Sequence, residues 1–269
     1  MKSSISDIKN RRDRIIEYLT VHTQASIQDL SSYLNISPIT IRRDLTFLEE
    51  KGVISRFHGG ASLPTETDSK KTFVTGLESL SKTDHSRETV QRALARHAAS
   101  LIHSGDILFI NSSKTASYIV EYLSDKRVSI ITNNLYILLR NVSPQASVVF
   151  TGGQYHIGQS SLTGGVTINE IGRLIANKCF LGVSAISADG GITSPFLEES
   201  YANAAMIQQT DGEVIVLAEG FKVGKNDRFQ ISGFSKVNLL ITDDSADTEE
   251  QANLKSCGMQ ITTVNISHP

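Results

Sequence analysis

A two-part α/β chain is what the 269-residue sequence predicts: three short helices with a small β-ribbon, then a doubly wound, mainly parallel α/β domain. Three observations carry this. Residues 1–63 hold three segments whose apolar residues recur at helical spacing, closed by a glycine-rich alternation. Residues 64–71, PTETDSKK, are polar and lack periodicity, so 64–76 reads as a linker. From 77 to 269, short apolar runs alternate with helical patterns.

Composition agrees with folded domains, at 39% hydrophobic and 20% charged residues. No charged stretch followed by an apolar one opens the chain, and no run of about 18 apolar residues occurs. Neither export nor membrane spanning is indicated, and a cytoplasmic location is expected. Cys179 and Cys257 lack ligand spacing and read as idle thiols. His22, His85, His97, His103, His156 and His268 show no metal-ligand spacing either. GxGxxG and GxxxxGK[ST] are both missing, so no cofactor, metal or catalytic residue is assigned. Net charge is −2 overall, yet residues 1–63 carry Lys/Arg in slight excess, which permits a local basic face.

The first helix is expected over residues 9–21, with Ile15, Ile16 and Leu19 as its apolar stripe and Arg11, Arg12 and Arg14 at its start. Ser26 followed by Asp29 reads as a weakened capping box for a second helix at 27–34, which buries Ile27, Leu30 and Leu34. Ser37-Pro38 is an N-cap followed by a first helical position, opening a third helix over 38–51. Its residues Ile41, Leu45 and Leu48 face one way, and Ile39, Arg42, Arg43 and Thr46 face the other. After Gly52, residues 53–56 read as a strand, 58–60 as a tight turn and 61–63 as a return strand.

This order of elements is a winged helix-turn-helix, which lays its last helix in the DNA major groove. Arginines at 42 and 43 offer guanidinium forks to guanine or phosphate, and Thr40 suits the backbone or a thymine methyl. The candidate DNA contacts are Ser37, Ile39, Thr40, Arg42, Arg43 and Thr46 on the helix, with Arg56 and His58 on the wing. A solvated charged face is the alternative reading from charge alone. Residues 27–63 also closely resemble the N-terminal signature of the DeoR family of bacterial sugar-metabolism regulators, through the blocks TIRRDL, LEEKG and RFHGGA. That resemblance implies that Arg42 and Arg43 contact double-stranded operator DNA and that the protein is a repressor.

In the second part a helix is expected over 87–102 and strands at 107–110, 128–132, 148–151, 179–183, 214–218, 239–242 and 261–264. In such sheets ligands bind beyond the carboxyl ends of the strands. The candidate effector-binding residues therefore sit in four loops: Asn111, Ser112, Ser113, Lys114 and Thr115; Thr132, Asn133 and Asn134; Gly152 and Gly153; and Glu219 with Lys222. Each loop alone also reads as an ordinary strand-ending turn.

The DeoR resemblance extends over this region at Thr132-Asn133-Asn134, Gly152-Gly153, the Ser161 to Gly164 turn and Phe180-Leu181-Gly182. It implies a fold similar to ribose-5-phosphate isomerase and a phosphorylated sugar as effector. The chain departs from the family pattern where D-x-G-T-T becomes Asn111-Ser112-Ser113-Lys114-Thr115, and where D-S-S-K becomes Glu219-Gly220-Phe221-Lys222. The family's lysines at two helical positions are Gln91 and Asn203 here. Fewer cations weaken phosphate binding, so an unusual effector, or none, is the expectation. Two alternatives follow: the second part only oligomerises, or it is an isomerase-like enzyme using Glu198, Glu199 or Glu219 as base. Self-association into a homo-oligomer is expected in every case, because dimers match paired half-sites.

Overall fold

The computed structural model describes residues 5–50, 53–57, 59–62, 85–155 and 160–266. The chain divides into two compact units, Met1–Ser79 and Leu80–Pro269. The linker positions, His58 and the return strand's Leu63 lie outside the described residues.

In the first unit, α1 (Ile5–His22), α2 (Ile27–Leu34) and α3 (Pro38–Glu50) pack around Ile15, Leu19, Leu30, Ile41, Leu45 and Leu48, all buried. Ile27, expected in the core, is only half-buried at its edge. The Ser26 capping box is complete: its hydroxyl accepts from the Asp29 N–H, and the Asp29 carboxylate accepts from the Ser26 N–H. Asn35 ends α2 in the left-handed conformation and donates its N–H to the Ser31 and Ser32 carbonyls, which turns the chain into α3. The wing strands β2 (Ser55–Phe57) and β3 (Gly60–Ser62) pair antiparallel. A further strand, β1 (Gln24–Ser26), pairs with β3 as well, and a three-residue strand before a helix carries too little periodicity to be seen in sequence.

The first described element of the second unit is α4 (His85–Ser100), and a short helix, α5 (Lys114–Ser117), follows the first strand. Its sheet strands are β4 (Ile107–Ile110), β5 (Ser129–Thr132), β6 (Ser147–Phe150), β9 (Ala176–Gly182), β12 (Thr210–Leu217), β14 (Leu239–Asp243) and β15 (Gln260–Val264). They form one parallel sheet in the order β15-β14-β12-β9-β4-β5-β6. The chain runs outward from β4 to β6, crosses back, and runs the other way from β9. The order therefore reverses between β4 and β9, which is where a doubly wound sheet opens its ligand crevice.

One sheet face is covered by α4 and the 118–123 turn through Leu94, Ala98, Tyr118 and Ile119. The other is covered by α6 (Gly165–Ile171), α7 (Leu197–Gln208) and α8 (Thr248–Ser256) through Ile171, Met206 and Leu254. Strand β9 starts at Ala176 rather than 179 because its polar entry is internally satisfied: Lys178 Nζ reaches Asp106 at 2.9 Å and the Leu101 carbonyl at 2.7 Å. Two small additions went unforeseen, the hairpin β7 (Gln154–Tyr155) with β8 (Leu162–Thr163), and an antiparallel sheet of β10 (Ala185–Ser187), β11 (Gly191–Ser194) and β13 (Phe229–Ser232). Among the described residues, no helix is long and apolar enough to cross a membrane.

Candidate functional site

On the first unit the outward face of α3 carries Ile39, Arg42 and Arg43, all exposed. Ile39 is 76% exposed, an apolar side chain with no role in the core. Ser37 and Thr40 hydrogen-bond each other at 2.9 Å across the first turn, so they cap the helix before they contact anything else. Thr46 is tied inward: its hydroxyl donates to the Arg42 carbonyl at 2.9 Å and accepts from Arg56 Nη1 at 2.9 Å. Arg56 also pairs with Glu49 at 3.3 Å, which joins the wing to α3. Two of the arginines of α1 are committed inside the unit, since Arg11 and Arg12 both bind Asp44. Of the candidate contacts on α3, Ile39, Arg42 and Arg43 are the exposed ones that make none of these internal contacts through their side chains.

In the second unit a cavity of about 220 Å³ opens at the switch point. Its walls include Asn111, Ser112, Ser113, Lys114, Tyr136, Ser184, Glu199, Asn203 and Lys222. Of the sequence candidates, Asn111 to Lys114 and Lys222 meet there. Thr115, Thr132, Asn133, Asn134, Gly152, Gly153 and Glu219 are not on its wall, and they build the frame behind it. Asn134 Nδ2 donates to the Asn111 and Ser113 carbonyls at 2.6 and 2.8 Å, and Thr132 Oγ1 donates to the Ile110 carbonyl. Asn133 Nδ2 holds the Leu162 carbonyl at 3.0 Å. Gly153 has φ +124°, and a β-carbon there would lie 2.1 Å from Thr167 Oγ1, so glycine is needed for the turn to close on α6.

Asn111 is a cross-strand clamp. Its Nδ2 donates to the Gly182 carbonyl at 2.9 Å and to Asn203 Oδ1 at 3.2 Å, and its Oδ1 accepts the Gly182 N–H at 2.9 Å. Gly182 has no room for a side chain, since a β-carbon would sit 1.9 Å from Ser113 Oγ. Glu219, 2% exposed, anchors a second cluster. One oxygen accepts from Gln91 at 2.8 Å and Thr115 at 2.9 Å; the other pairs with Lys222 at 2.9 Å and Arg87 at 3.2 Å. Burial raises the Glu219 pKa, but the Lys222 charge and the hydrogen bonds from Lys222, Gln91 and Thr115 outweigh it and hold the carboxyl below its usual range.

The departures from the family pattern fall in touching pairs: Asn111 Nδ2 donates to Asn203 Oδ1, and Gln91 Nε2 donates to Glu219. Asn111 and Asn203 both stand on the cavity wall, and Gln91 does not. The cavity itself keeps two ammonium groups. Lys114 has a lowered pKa from burial and from the nearby Arg140 and Arg87 charges. Across the set stands Glu199, half-buried, whose pKa is raised by burial against a single hydrogen bond from Ser161 at 3.2 Å. Tyr136 and Ser184 were not foreseen as cavity residues, and Glu199 was named only as a possible base of the isomerase alternative; Tyr136 follows β5 on one side of β4, whereas Ser184 and Glu199 follow β9 on the other. Among the described residues, no group of His, Cys, Asp and Glu is placed to hold a metal ion.

Comparison with known proteins agrees with both halves. Residues 11–67 match the DeoR-like helix-turn-helix domain, and residues 86–244 match the DeoR C terminal sensor domain. The HTH-type transcriptional repressor GlcR of Bacillus subtilis is 30% identical over 85% of this chain and 86% of its own. The HTH-type transcriptional regulator GlpR of Haloferax volcanii is 26% identical over 93% of this chain and 96% of its own. The glycerol-3-phosphate regulon repressor of Escherichia coli is 28% identical over 87% and 90%. With residues 11–67 matching the family's helix-turn-helix domain, residues 86–244 its sensor domain and relatives that align over most of their length, the chain belongs to the DeoR family of DNA-binding transcriptional regulators.

Proposed function

We propose that the chain represses carbohydrate-utilisation genes and that a small phosphorylated sugar, seated in the cavity at the β4/β9 switch point, releases it from its operator. The observation that carries this reading is the mixed polarity of the cavity wall, with Lys114 and Lys222 as cations and Glu199 as a carboxylate. A phosphate with a polyol attached complements that set, because ammonium groups bind the phosphate and a carboxylate accepts from hydroxyls. The Glu219 cluster places one carboxylate against Arg87 and Lys222, leaving positive charge in excess. Lys114 adds a further positive charge and Glu199 a negative one, so the set stays net positive and favours an anionic phosphate over a neutral sugar. The relatives named as repressors, and as a glycerol-3-phosphate regulon repressor, point the same way. The proposal replaces the expectation of an unusual or absent effector, and it favours a regulator over an isomerase, since the Asn111 amide cannot act as an acid or base near neutral pH.

DNA reading is assigned to Arg42, Arg43 and Ile39, with Arg56 and His58 of the wing as backbone contacts. Self-association belongs to the same reading, and Phe196, Leu197 and Tyr201, all exposed, are available to a second copy. Release follows from a shared counter-ion. An anion drawing Lys222 away from Glu219 alters the partner of Arg87, which sits in the first turn of α4, the first described element of the second unit. Calorimetric titration of the full-length protein with phosphorylated hexoses, their unphosphorylated forms and inorganic phosphate tests the reading. Binding of a sugar phosphate, weakened in Lys114→Ala, supports it; binding of free sugars alone, or of none, refutes it.

A further inference from the structure

Asp44 is the one carboxylate in the inward stripe of α3, between the buried Ile41 and Leu48, and it is 1% exposed. Arg11 Nε donates to one of its oxygens at 2.5 Å and Arg12 Nε to the other at 2.9 Å. The Arg12 guanidinium also lies 3.6 Å from the centre of the Phe47 ring, one turn along α3 from Asp44. Two guanidiniums from successive residues of α1 thus hold a carboxylate and a ring of the same helix. Retaining three charges for stability alone is poorly explained, because apolar residues of similar volume often stabilise such buried triads as well or better.

What the triad does fix is the roll of α3 about its axis. At about 100° per residue, Arg42 lies about 160° around the helix from Asp44, and Arg43 about 100°. A roll of about 15° carries a guanidinium about 8 Å from the axis through about 2 Å, enough to break a two-pronged contact with a base edge. We infer that Asp44, gripped by Arg11 and Arg12, is a positioning residue for sequence reading: it sets the azimuth at which Arg42 and Arg43 enter the groove. The clamp also withholds two guanidiniums from phosphate contacts that carry no sequence information.

The test compares the full-length protein with Asp44→Asn on two duplexes, the site enriched from fragments of its own genome and a shuffled sequence of equal composition. Affinities are measured across a salt series, and circular dichroism confirms that the variant is folded at the assay temperature. The expected result is a fall of about tenfold or more in the ratio of site to shuffled affinity, the size of one lost base contact. Affinity for the shuffled duplex is unchanged or raised, with a salt dependence at least as steep. A purely structural role leaves the ratio untouched in folded protein. If Asp44→Asn does not fold, the apolar set Asp44→Leu with Arg11→Met and Arg12→Met replaces it, with the same loss of discrimination expected. A ratio within about twofold of the parent in either folded variant overturns the inference.

Discussion

Replacing Asn111 by aspartate restores one half of the pair that the family pattern implies, and the surrounding contacts fix the consequence. The carboxylate still accepts the Gly182 N–H, but it no longer donates to the Gly182 carbonyl or to Asn203 Oδ1. Both acceptors then face an anion in a site that is 1% exposed. A buried acceptor left without its donor costs about 1–3 kcal/mol, so the two together cost about 2–6 kcal/mol, toward the lower end if the Asn203 amide rotates to present its nitrogen. Adding Asn203→Lys supplies an ammonium for the new carboxylate, and about 1–3 kcal/mol is regained through a charge-assisted bond. The double variant is therefore more stable than Asn111→Asp alone, with a coupling of at least about 1 kcal/mol. Urea unfolding followed by hydrogen exchange in β9 is the assay, because two units need not unfold together. Parent-like stability in Asn111→Asp, or strict additivity in the double variant, refutes the idea that 111 and 203 form an exchangeable pair.

Three further outcomes are expected. Arg42→Ala and Arg43→Ala each weaken binding to the enriched site by about 1–3 kcal/mol and leave a shuffled duplex nearly unaffected, as gel-shift titration reports; equal loss on both duplexes marks a phosphate contact instead. Glu219→Gln flattens the acid limb of stability. The folded carboxyl titrates below its ordinary 4.5, so its contribution is complete above that pH and is lost as pH falls through the lowered value, and a parent and variant with parallel pH profiles would contradict this. Ser26→Ala, removing one arm of the capping box, lowers the stability of the first unit by about 1 kcal/mol in thermal unfolding.

The helices and sheet strands were legible because their signals are local. Ser26 and Asp29, Pro38, and the Ile41, Leu45, Leu48 stripe place α2 and α3, and apolar runs place every strand of the parallel sheet. What sequence could not show is where a polar side chain sends its hydrogen bonds. Asn111, Thr132, Asn134 and Glu219 look like ligand residues at strand ends, yet each is engaged by groups on other segments. Glu199 and Tyr136 lack any motif, and they meet at the cavity from strands on opposite sides of β4, Tyr136 after β5 and Glu199 after β9. Asp44 carried a faint signal, a carboxylate within an apolar stripe, but its arginine partners stand 32 and 33 positions earlier in the chain.

The most direct measurement is release of the full-length protein from its enriched genomic site by a panel of sugar phosphates and the matching free sugars at physiological salt. The account predicts that one phosphorylated sugar releases the DNA, that its dephosphorylated form does not, and that Lys222→Ala blunts the response. A site that no sugar phosphate releases, or that a free sugar releases equally well, contradicts it.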